Sequence, residues 1–141
     1  MTIYSEVTIG GTKYTDAKSI NIRNSIGDNN SASSFSITFP NWDGVHKTDF
    51  SINDEVIVYA DKDVNPPTTK IFTGIIEEIN FLGRENEEEI EISGRDYTAR
   101  LQDATVEPTV YNNSEVSTIV SNIITNFVPS ISTTNVNATT T

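Results

Sequence analysis

Residues 70–103 read KIFTGIIEEINFLGRENEEEIEISGRDYTARLQD, and this stretch decides the fold. Successive side chains on a strand point to opposite faces, so Ile71, Thr73, Ile75, Glu77, Ile79 and Phe81 are expected on one side of a long first strand. In the return strand Ile90 and Ile92 face one way, and Glu89, Glu91 and Ser93 face the other. Such alternation marks an antiparallel sheet with one dry and one wet face. The tip, Gly83-Arg84-Glu85-Asn86-Glu87, has the glycine and polar residues of a hairpin connection. At Gly94-Arg95-Asp96 the pattern breaks. Glycine lets the chain leave the sheet, and the Asp96 carboxylate is placed to cap a helical turn over Tyr97–Leu101.

Working outward, Ile3–Ile9 alternates and meets Gly10-Gly11, a hairpin signal with Thr12–Tyr14 as its return. Lys18–Asn24 places Ile20 and Ile22 inward, and Gly27–Ser31 is a run of turn formers. Ser33–Pro40 places Phe35, Ile37 and Phe39 on one face, and Pro40 ends it by removing a ladder donor. Asp54–Ala60 is apolar on both faces, as in a strand covered on both sides. On the C-terminal side, Val116, Ile119, Val120, Ile123, Ile124 and Phe127 form one helical stripe, capped by Asn113 or Ser114 and closed by Pro129. Burying those side chains contributes on the order of 10 kcal/mol before entropy is subtracted, so the helix is expected to dock on the sheet.

The pattern therefore predicts a mainly β chain: an antiparallel β-barrel, one flanking amphipathic helix and a short helical turn. Its expected parts are a barrel over 1–105, a connector and helix over 106–130, and a Thr/Asn-rich linker, or the start of a further segment, over 131–141. The ending N-A-T-T-T reads as a linker within a longer parent protein.

A net charge of -11 argues against gripping a phosphate backbone, so no specific nucleic-acid binding is expected. The N-terminus lacks the basic start and apolar core of a secretory signal, and no apolar run approaches the roughly 20 residues that span a bilayer. With Cys at 0, disulfides and thiolate chemistry are excluded.

Candidates for chemistry are few. Asp61-x-Asp63-x-Asn65 has the opening ligands of a calcium loop, but Pro66 stands where glycine belongs and Phe72 where a bidentate glutamate belongs. Glu77 and Glu78 are strand neighbours on opposite faces and cannot work as an acid–base pair. Glu77 is an oddity on an otherwise apolar side, marking where that side reaches solvent or a subunit boundary. His46 is the one histidine, and no serine sits in a nucleophile elbow. No catalytic residue, cofactor or metal is expected.

F-T-G-I at Phe72–Ile75, I-S-G-R-D-Y-T at Ile92–Thr98 and L-Q-D at Leu101–Asp103 resemble, in order and spacing, the first domain of tail-hub proteins. These are the baseplate hub subunits of contractile-tailed phages such as Mu, with relatives in Gram-positive prophages and in type VI secretion spikes. The resemblance covers roughly residues 54–130 and implies a tube-like barrel that joins the hexameric tail tube to the three-fold spike. It makes Phe72, Gly74, Gly94, Arg95, Asp96 and Leu101 the fold-motif or interface candidates. Its implied partners are other copies of the chain in a trimer, the tail tube protein, the spike protein and the tape-measure protein, in the virion tail after assembly in the host cytoplasm. Hub chains of that family carry two barrels, whereas this one has room for one. Glu85, Glu87, Glu88 and Glu89, with Glu91, are placed to face the bore, where like charge keeps passing DNA from adhering.

The other reading is a small β-sandwich that binds carbohydrate or another surface ligand, with Trp42, Tyr59, Tyr97 and Tyr111 as stacking faces. The amphipathic helix speaks against it.

Overall fold

The structure is a computed structural model that describes residues 1–25, 32–84 and 87–137, without the side chains of 84 and 87. The turn expected over Gly27–Ser31, apart from its flanks, the very tip of the 70–96 ribbon and the last residues of the expected linker lie outside the described residues. The chain divides into two compact units, Met1–Thr98 and Ala99–Thr141.

The first unit holds seven strands: β1 (Ile3–Ile9), β2 (Thr12–Tyr14), β3 (Ser19–Arg23), β4 (Ser34–Pro40), β5 (Glu55–Lys62), β6 (Lys70–Arg84) and β7 (Glu87–Asp96), with a 3-10 turn at Trp42–Gly44. They form one sheet in the order β2-β1-β5-β6-β7-β4-β3, with every neighbouring pair antiparallel. The sheet curls on itself. Four strands separate β2 from β4, yet Tyr14 and Phe39 meet edge to face at 5.6 Å. Among the described residues β2 and β3 are the two ends and do not pair with each other. The described sheet is a half-barrel; the paired seam between those end strands that closure of the expected barrel needs is not shown.

The concave face carries the core. Val7 and Ile9 of β1 lie opposite Val58 and Val56 of β5. Phe35, Ile37 and Phe39 of β4 lie opposite Gly94, Ile92 and Ile90 of β7. Phe72 and Ile76 of β6 join the same buried cluster. Phe35 and Phe72 pack ring to ring at 5.4 Å, tying the two halves of the curl.

The expected face of β6 is wrong in its first half. Phe72, Gly74 and Ile76 face the main buried cluster, whereas Ile71 is exposed, Thr73 is half-buried and Ile75 is buried outside that cluster. The cause is two bulges. Tyr59 pairs with Lys70 and Val58 with Phe72, which leaves Ile71 as an extra residue. Ile76 pairs with Gly94 and Glu78 with Ser93, which leaves Glu77 as another. Each insertion flips the alternation, so that Ile79 packs on the core beyond the second bulge, in phase with Ile92. Glu77 is odd because it is the inserted residue.

Helix α1 (Thr98–Asp103) starts on the last residue of the first unit, and in the second unit it is followed by a connector and by α2 (Val116–Phe127). The helix starts later than expected. Asn113 takes φ 48 and Glu115 occupies the N-cap position, without a side-chain cap, so neither Asn113 nor Ser114 caps α2. Of the stripe, Ile119, Ile123, Ile124 and Phe127 are half-buried, whereas Val116 and Val120 are exposed.

Candidate functional site

The sequence motifs around Gly74 and Gly94 converge on adjoining positions of β6 and β7. Gly74 lies opposite Asp96, and Gly94 opposite Ile76. Both glycines are required by close approach. A Cβ on Gly74 would stand 2.5 Å from the Arg95 carbonyl oxygen and 2.7 Å from the Phe72 ring. A Cβ on Gly94 would stand 2.0 Å from the Ile75 carbonyl oxygen, with the Phe35 ring at 3.0 Å. Each glycine is thus roofed by an aromatic ring on the core face, a pairing that keeps a strand glycine shielded.

Arg95 and Asp96 fasten this corner. The Arg95 guanidinium forks onto Glu77, with Nη2 to Oε1 at 2.7 Å and Nε to Oε2 at 2.8 Å. The Asp96 carboxylate accepts from the Thr98 N–H at 3.0 Å, as the capping argument predicts, and also from the Ser33 N–H at 3.1 Å. It therefore ties the start of β4 to the turn that leaves β7. Tyr97 extends the corner by donating its hydroxyl to Glu55 at 2.8 Å. Leu101, in α1 of the second unit, is about half exposed. Phe72, Gly74, Gly94, Arg95 and Asp96 shape and lock the bend.

A second cluster had no signal in the sequence. His46 is almost fully buried among the rings of Tyr14, Phe39 and Phe50. Its Nδ1 lies 2.9 Å from Asp49 Oδ2 and its Nε2 2.9 Å from Asp16 Oδ2. Burial alone would lower the imidazole pKa, but hydrogen bonds and charge from Asp49 and Asp16 outweigh it and raise the value above the ordinary 6.5. The neighbouring Tyr14 phenol is pushed up by burial and by Asp49, Asp16 and Asp54. Only the sequence separation of Asp16 and His46 hid this cluster.

At the Asp61–Asn65 loop the carboxylates are turned onto backbone. Asp61 accepts from the N–H groups of Thr68 and Thr69, and Asp63 Oδ1 accepts from the Thr2 N–H at 2.8 Å. Hydrogen bonds from the Thr69 side chain and from the Thr68 and Thr69 backbone hold the Asp61 carboxyl down at about 2.

The remaining candidates gather where β7 begins. Glu85 and the side chain of Glu87 lie outside the described residues, Glu88 is exposed, and Glu89 is half-buried and paired with Lys18. Glu91 accepts from the Ser36 hydroxyl at 3.1 Å. Beside them Trp42 is exposed on the 3-10 turn, which is pinned to the ribbon by the Asn41 N–H donating to the Glu88 carbonyl at 2.8 Å. Tyr97 lies just past the other end of β7. Trp42 and Tyr97 thus sit at opposite ends of β7.

The fold has counterparts among solved structures. The chain superposes on the tail protein from Neisseria meningitidis MC58 with a TM-score of 0.65 at 18% identity, over 89% of this chain and 34% of that one. It also superposes on the 43 kDa tail protein of prophage MuSo2 from Shewanella oneidensis, with a TM-score of 0.64 at 20% identity, over 88% of this chain and 37% of that one. This chain thus spans little more than a third of either structure. No family model matches it, and no curated protein does.

Proposed function

We propose that the chain is a structural component of a phage tail or tail-like injection machine, a baseplate hub piece that joins the tail tube to the central spike. The observation that carries this reading is the fold shared with two tail proteins over nearly the whole of the chain. The corner built from Phe72, Gly74, Gly94, Arg95 and Asp96 supports it, because the residues that resemble the hub motif are those that set the curl of the sheet. On this reading the chain is held by copies of itself, as a trimer, and by tube, spike and tape-measure proteins. It turns over no substrate. Symmetry sets the requirement: barrel-like units must present equivalent contacts to six tube subunits.

Light scattering and negative-stain microscopy of the purified chain test this. Self-association into rings is the expected result. A strict monomer that is retained on a glycan gel, and released by Trp42→Ala, would replace it with the carbohydrate-binding reading.

A further inference from the structure

One end of the half-barrel leaves apolar side chains in water on both faces of the same ribbon. Phe81 and Leu82 are consecutive residues of β6 and so point to opposite faces, and they are 59% and 42% exposed. The pairing of β6 with β5 stops at Ile75, so β5 does not cover this end. Trp42 and Val45, on the turn pinned to Glu88, are 58% and 63% exposed. Three open grooves of about 670, 440 and 390 Å³ run among Phe81, Leu82 and Trp42, and Glu89 borders all of them. Exposed aromatic and aliphatic groups gathered around open grooves fit a protein segment with apolar anchors better than an enclosed small molecule.

Charge selects the occupant. Asp16, Asp43, Glu88 and Glu89 border the grooves against Lys18 and Lys47. Lys18 is paired with Glu89 and Asp16 is held by His46, while Asp43 and Glu88 are exposed carboxylates. The chain as a whole carries -11, so a second copy would bring the same negative field to this end.

We propose that the end of the β6–β7 ribbon, with Phe81, Leu82 and Trp42 as its anchors, docks a positively charged protein segment bearing apolar side chains. The apolar anchors enter the grooves on either side of the ribbon, and the partner's lysine or arginine side chains reach Asp43 and Glu88 at the rim. Such an occupant removes Glu88 from any open passage wall.

Trp42 is the only tryptophan, so its emission reads this face directly. The probe is a synthetic peptide of alternating lysine and leucine, titrated into the full chain, with a glutamate–leucine peptide as control. The expected result is a saturating blue shift with the cationic peptide alone, weakened about tenfold by Phe81→Ser and severalfold by Glu88→Lys. Both side chains are exposed, so both variants are expected to keep the wild-type melting temperature. An equal shift with the acidic peptide, no shift at all, or undiminished binding by Phe81→Ser would overturn the proposal. So would dimerisation of the chain that Phe81→Ser abolishes, since the occupant would then be a second copy. Failure here leaves the tail reading standing, because the location of the chain in a particle is measured separately.

Discussion

The carbonyl oxygen of Ile75 occupies the space that a Cβ on Gly94 would need, 2.0 Å from where that carbon would sit. Two residues later Glu77 is the unpaired residue of the bulge, and its backbone nitrogen would be 3.0 Å from the same Cβ. The bulge and the glycine are two sides of one feature. The bent strand presses its backbone onto β7, and only glycine leaves room. Arg95, the next residue, then clasps the bulged Glu77 from the other face.

Gly94→Ala is expected to destabilise the chain by about 3 kcal/mol, and Gly74→Ala by a similar amount, because backbone must shift to admit either methyl. Gly83 has open space around its α-carbon, so Gly83→Ala is expected to stay within about 0.5 kcal/mol of wild type. Urea denaturation of the three variants checks this ordering.

The Arg95–Glu77 fork is about one-third exposed on both side chains. Its geometry is bidentate, but solvent screening limits it, and Glu77→Gln is expected to cost about 0.5–1 kcal/mol at low salt. The loss should shrink as ionic strength rises toward 1 M, where the screening length falls to about 3 Å. Melting temperatures across a salt series measure it.

His46 predicts a pH dependence of known sign. Both of its ring nitrogens face carboxylates, and only the imidazolium donates from both. Its folded pKa is raised above 6.5, so its contribution is fully present below that value and is lost as pH rises through the folded pKa. The wild-type melting temperature should therefore fall, relative to His46→Gln, as pH is raised from about 6.5. A difference that stays flat from pH 5 to 9 would contradict the geometry.

Asp61 acts in the opposite direction and locally. Its carboxyl is held at about 2 against an ordinary 3.8, so its grip on Thr68 and Thr69 is present above 3.8 and lost as pH falls toward 2. Hydrogen exchange at the Thr68 and Thr69 amides should accelerate in Asp61→Asn at neutral pH, and in the wild type only in strong acid.

Much of the half-barrel is legible in the residue pattern, since alternation at Phe35, Ile37, Phe39 and at Ile90, Ile92 follows directly from burial of one face. The first half of β6 is not, because the rule of two assumes that every residue pairs. The sign of the bulge is visible in retrospect: Phe72, Gly74 and Ile76 share one parity, Ile79 and Phe81 the other, and the shift falls at Glu77. Whether the sheet closes depends on end strands that no local pattern couples. The start of α2 depends on a positive φ at Asn113 that side-chain type alone does not dictate. The His46 cluster joins residues 30 positions apart, and an isolated histidine in a turn gives no hint of it. At the corner, the sequence points to Asp96 as a cap, while its second bond to Ser33 appears only once β4 lies beside β7.

Cryo-electron microscopy of tail particles from the strain that encodes this chain tests the central claim most directly. The account predicts density for the curled seven-stranded sheet at the baseplate, between the tube and the spike, repeated around the tail axis. Absence of the chain from intact tails, or its presence only on peripheral fibres, would contradict it.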